Sequence, residues 1–100
     1  MPTPKHMKKI QPKQNNLIIY RRRMGFTQKA VAELLGQRDA AMISHYEHGR
    51  TSPSLSVALG LEIIYRVPVA FLFPEIYDDL KHRIRAHEEM LTAPRQRALF

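Results

Sequence analysis

The chain of 100 residues, 44% of them hydrophobic, can bury one core and forms one domain. It has no cysteine, which excludes a disulfide framework and a thiolate metal site. Its formal charge of +7 favours polyanionic partners, and no apolar run approaches the length of a membrane span.

Residues 1–13, "MPTPKHMKKIQPK", combine three prolines with scattered charge and no periodicity, and read as a flexible basic arm. The whole charge excess sits early in the chain. Residues 1–23 carry Lys5, Lys8, Lys9, Lys13, Arg21, Arg22 and Arg23 and no acid. Residues 24–74 set four basic side chains against four acidic ones, and residues 75–100 set five against five. Such a segment attracts nucleic acid first and an anionic membrane surface second; the plainer alternative is a solubilising tail. "LIIY" is too short for a signal-peptide core and runs straight into three arginines. A soluble, cytoplasmic protein is expected.

Helical signals follow in series. Asn15 or Asn16 caps a first helix that ends at Gly25, with Leu17, Tyr20 and Met24 along one side. Thr27 caps a second, "QKAVAELL", closed by Gly36. Asp39 caps a third, Ala40 to His48, closed by Gly49. Pro53 and Ser54 open a fourth that reaches Tyr65, with apolar positions Leu55, Leu59 and Ile63 recurring every four residues. Gly60 inside it costs about 1 kcal/mol of propensity against alanine, which points to another helix passing close by. Pro68 opens a short fifth helix that Pro74 ends. A sixth, about Glu75 to Leu91, carries a sparse stripe of Ile76, Leu80, Ile84 and Leu91. Asp78 and Asp79 suit its first turn, and Asp79 with Arg83 and Arg85 with Glu89 suit i,i+4 pairs. The predicted fold is all-α: a compact five-helix domain over 14–74, an appended helix over 75–91, and a tail over 92–100.

The third helix divides cleanly on a 100° wheel. Ile43, Tyr46, Glu47 and Ala40 fall on one side, and Ala41, Ser44, His45 and His48 on the other. A solvated face favours Lys, Glu and Gln, but this one offers a methyl group, a hydroxyl and two imidazoles. Small, hydrogen-bonding side chains suit a helix that enters a major groove about 12 Å wide. Glu47, on the inner side, needs a partner, because a lone buried carboxylate costs several kcal/mol. Arg21, on the Leu17 side of the first helix, is best placed, and an Arg21–Glu47 ion pair is predicted as an orienting strut. With Arg21 turned inward, Arg22 and Arg23 are left to meet phosphate.

The series "GFTQ", "AELLG", "ISHYEHGR" and "PSL", continued by "VPVAFLF", resembles the Cro and phage-repressor type of helix-turn-helix domain over about residues 15–74. The resemblance implies that Gln28 hydrogen-bonds a phosphate or steadies the recognition helix, and that Arg50 touches the DNA backbone. It implies base readout from the start of the third helix, here Arg38, Ala40, Ala41, Ser44 and His45. "GQRD" makes the turn one residue longer than is commonest in that family, so base contacts can slip by one position. Arg38 then either reaches a guanine or holds a phosphate.

His45 and His48 lie three apart on a helix without an evident third ligand, so no metal is expected, and no cofactor. No nucleophile with a base, phosphate-cradling loop or carboxylate pair supports an enzyme. The predicted function is that of a sequence-specific, double-stranded DNA-binding transcriptional regulator, acting as a repressor and a homodimer. Its alternative is an antitoxin or adaptor that grips a protein partner through the sixth helix.

Overall fold

The computed structural model describes residues 14–92, which form six helices and no strand. They are α1 (Leu17–Met24), α2 (Gln28–Leu34), α3 (Ala41–Glu47), α4 (Leu55–Tyr65), α5 (Val69–Leu72) and α6 (Pro74–Leu91). The basic arm and the tail after Thr92 lie outside the described residues.

The predicted stops and starts hold, with local adjustments. Thr27 Oγ1 accepts from Ala30 N–H at 3.0 Å to cap α2, and Ser54 Oγ accepts from Val57 N–H at 3.3 Å to cap α4. Asn16 occupies the cap position of α1 without a side-chain bond to it, while Asn15 Oδ1 accepts from Leu17 N–H at 3.0 Å. The third helix starts one residue later than expected, at Ala41. Ala40, which has no side-chain acceptor, stands at its cap position, and Asp39 Oδ1 accepts from Ala41 N–H at 2.8 Å instead.

The core is built from Leu17 of α1, Val31 and Ala32 of α2, Ile43 and Tyr46 of α3, Leu61 and Tyr65 of α4, and Leu72 and Phe73 at and after α5. Met24, expected on the inner side of α1, lies at its exposed edge. The ends of the domain are tied together through Asn16: its N–H reaches Leu72 O at 2.9 Å, and its Nδ2 reaches Phe71 O at 2.9 Å.

The α4 stripe is a correction. Leu55 and Ile63 are each 75% exposed and Leu59 is exposed too, while Leu61 and Tyr65 are buried and Val57 and Ile64 pack on the core. Almost every residue of α4 is apolar, so its periodicity offers more than one face. Gly60 makes the choice: a Cβ there would lie 2.6 Å from Leu35 Cδ2, so α4 turns this bare side toward the end of α2. The expected close approach at Gly60 is therefore real, and it sends the 55/59/63 stripe outward.

α6 also departs from expectation. Of its stripe only Ile76 packs against the core, and none of its 18 residues is buried. Leu80, Ile84 and Leu91 are exposed because no described residue of the domain lies beneath them after the first turn. Glu75 is the first-turn acid, since the helix begins at Pro74; Asp78 and Asp79 sit one turn further on. Arg85 binds both oxygens of Glu88 at 3.1 Å, so it pairs at i,i+3 rather than with Glu89.

Candidate nucleic-acid interface

α3 is held from behind by one carboxylate. Arg21 Nε donates to Glu47 Oε2 at 2.5 Å and its Nη2 to Oε1 at 3.2 Å, a bidentate pair from α1 to α3. Gln28 Nε2, at the first position of α2, donates to the same Oε1 at 2.9 Å. Arg21 Nη1 spends a further donor on the Phe26 carbonyl at 3.1 Å, fixing the α1–α2 turn. The Glu47 side chain is 1% exposed, so three donors replace its water. The hydrogen bond to Glu47 raises the Arg21 pKa above its already high value, and the guanidinium stays charged. α3 is thereby locked against both preceding helices through its own last residue.

The same end of α3 is closed twice more. Asn15 Nδ2 donates to Tyr46 O at 2.8 Å. Gly49, at φ 70°, lets the chain reverse so that Arg50 N–H reaches His45 O at 3.0 Å and its own N–H reaches Tyr46 O at 3.1 Å. The Tyr46 carbonyl thus accepts two hydrogen bonds. Behind it, Tyr65 is buried with its hydroxyl lacking a partner among the described residues. Burial first and the nearby Glu47 charge second push its pKa up to about 12.

The opposite face of α3 is open. Ala41 and His48 are exposed, Ser44 and His45 half-buried, and Arg38 and Asp39 stand exposed in the turn before the helix. Ala40 is half-buried, which accords with its inner place on the wheel. His48 Nδ1 lies 2.8 Å from the Ser44 carbonyl. A carbonyl only accepts, so this nitrogen carries a proton and donates to it.

The three arginines of α1 have separate surroundings. Arg21 is the strut, Arg22 is exposed, and the Arg23 guanidinium lies over the Tyr20 ring at 5.2 Å from its centroid. Arg50, just past α3, is exposed. One Nε2 proton of Gln28 is committed to Glu47, which is the steadying role; the second remains available to an outside acceptor.

The wheel missed Met42. It is 40% exposed on the flank of α3, next to the open face. On the wheel it lies between His45 of the open side and Tyr46 of the buried side; an apolar side chain on that flank can contact a thymine methyl. Among the described residues no three His, Asp or Glu side chains stand together to hold a metal ion, and no helix is long and apolar enough to cross a membrane. Residues 17–72, from the start of α1 to the end of α5, match the family model described as helix-turn-helix. No curated protein matches the chain.

Proposed function

The chain belongs to the Cro/C1-type helix-turn-helix family of DNA-binding regulators, and from that membership we propose a sequence-specific transcriptional repressor that reads the major groove with α3. The observation that carries the reading is the contrast between the two sides of α3. Its back is fixed by Arg21, Gln28 and Asn15, while its front presents Ala41, Ser44 and His45 without a lysine or glutamate among them. A reading helix needs this rigidity, because hydrogen bonds to base edges tolerate little misplacement.

Base contacts are assigned to Arg38, Ala40, Ala41, Ser44 and His45, with Met42 added at the flank. Phosphate contacts are assigned to Gln28 through its second amide proton, and to Arg22, Arg23 and Arg50. The guanidinium of Arg23 keeps its edge donors while its face rests on Tyr20. The basic N-terminal segment adds sequence-independent attraction. The protein acts in the cytoplasm as a homodimer on an inverted repeat, and represses by occupying a promoter.

Selection from a random duplex library with purified protein at about 150 mM salt, where weak phosphate binding is suppressed, tests this. An enriched inverted repeat is expected. Absence of any enriched sequence from folded protein would refute the reading. It would favour the second one, a protein-interaction module acting through α6, for which the exposed Leu80, Ile84, Met90 and Leu91 speak.

A further inference from the structure

We propose that α6 pairs with α6 of a second copy of this chain as a short antiparallel seam, in one register. Leu80 faces Leu91 of the second copy, Ile84 faces its His87, and Lys81 lies beside its Glu88. The homodimer of the functional reading is the premise; the surface, orientation and register are what is added.

The seam follows from the spacing. Leu80, Ile84, His87 and Leu91 recur at intervals of four, three and four, the pattern that keeps one stripe of a helix against a partner helix. All four are exposed, Leu80 at 45%, Ile84 at 51% and Leu91 at 68%. A stripe of this kind on a helix with no buried residue has no cover among the described residues of its own chain.

The flanking charges identify the occupant and the register. Lys81 and Glu88 each directly follow a seam position, Leu80 and His87. In the proposed register Lys81 of each copy lies alongside Glu88 of the other, whose carboxylate is exposed and also bound by Arg85 of its own helix, so the two-fold axis makes two three-membered charge clusters. On the opposite edge Arg83 lies along Met90, and its stem covers apolar surface. Sliding the antiparallel pair by one heptad, with Leu80 on Ile84, brings Lys81 onto Lys81. A parallel pair brings Arg83 to Glu88, but it stacks the two His87 rings on each other and carries both domains, each with Arg21, Arg22 and Arg23, to one end.

The geometry also suits the site on DNA. The seam centre lies between Ile84 and His87, so each Pro74 stands about 17 Å from it at 1.5 Å per residue. The two domains then attach about 34 Å apart, the distance between half-sites one helical turn apart. The other exposed stripe, Leu55, Leu59 and Ile63 on α4, lacks such a self-complementary flank; its neighbour Glu62 accepts from Val69 N–H at 3.0 Å. Few apolar side chains meet in the α6 seam, so the dimer forms in a concentration-dependent way and is strengthened by paired half-sites.

Sedimentation equilibrium of the full chain tests the surface. Ile84→Glu is expected to weaken dimerisation at least about thirtyfold, and Ile63→Glu to leave it unchanged. Charge reversal tests the register: Lys81→Glu and Glu88→Lys each weaken the dimer roughly fivefold, and the double variant restores it. The chain has no cysteine, so a mixture of Leu80→Cys and Leu91→Cys proteins is expected to form the mixed disulfide under mild oxidation. A wild-type chain that stays monomeric, a double variant that is not restored, or a dimer broken by Ile63→Glu but not by Ile84→Glu overturns the proposal. Binding of the same variants to a duplex holding one half-site keeps the two readings separate. Monomeric Ile84→Glu that still prefers that half-site is expected if both are right. A wild-type monomer with the same preference overturns only the seam, and a dimer that selects no DNA sequence overturns only the DNA reading.

Discussion

α3 and α6 are both amphipathic helices, and they meet opposite fates. α3 has 7 residues, of which Ile43, Tyr46 and Glu47 are buried, one of them charged. α6 has 18 residues and buries none, although its stripe is longer. The difference teaches that an apolar stripe states a need for cover without saying what provides it. α3 is covered because α1 and α2 bring Arg21 and Gln28 to its one inward carboxylate, which makes a charge tolerable where α6 cannot shelter a leucine.

The comparison breaks most visibly at Glu47. Glu47→Ala leaves the half-buried Arg21 without its counter-charge and is expected to cost about 3 kcal/mol, the low end for breaking a buried pair, measured by urea denaturation. A cost near zero would mean that α3 is held by apolar packing alone, as α6 would have to be.

Tyr65, which lies behind the same carboxylate, gives a smaller and pH-dependent effect. An unpartnered buried hydroxyl carries a desolvation cost of roughly 1–3 kcal/mol, so Tyr65→Phe is expected to be neutral or stabilising at pH 7. Raising the pKa from 10.0 to about 12 favours the neutral phenol in the folded state. That contribution is complete below pH 10, where both states are protonated, and is lost as pH rises from 10 to about 12 while the unfolded chain ionises. Thermal unfolding over that window should therefore show a shallower decline for Tyr65→Phe than for the wild type.

Thr27→Ala removes the acceptor that caps α2 and is expected to cost about 1 kcal/mol by the same denaturation measurement. At the small end, Ile84→Glu is expected to change the unfolding of the isolated monomer by less than about 0.5 kcal/mol, because its side chain touches no core. A large loss of monomer stability would show that α6 folds back on its own domain.

Local chemistry was legible in the sequence wherever one side chain decides. Thr27 and Ser54 cap as expected, the chain reverses at Gly25, Gly36 and Gly49, and the inward Glu47 finds Arg21. Faces were legible only where polar residues delimit them. α3 has such a boundary and its two sides were separable. α4 is apolar nearly all round, so the stripe at Leu55, Leu59 and Ile63 could not be told from the packed one, although Gly60 marked the right side. Within the site, the resemblance implied that Gln28 holds a phosphate or steadies the recognition helix, and its acceptor on Glu47 was not readable. Asn15 on the Tyr46 carbonyl was not readable at all, because its place at the start of α1 already gives it a local use and no sign of a distant partner.

The reading of DNA by the open face of α3 is tested most directly by selecting from the same duplex library with wild-type protein and with His45→Ala. The expected result is an enriched inverted repeat in which the variant loses preference at one or two base pairs of each half-site, worth about 1–3 kcal/mol each, and keeps the rest. Identical preference profiles from the two folded proteins would contradict it, and would move the readout away from the face that Glu47 holds in place.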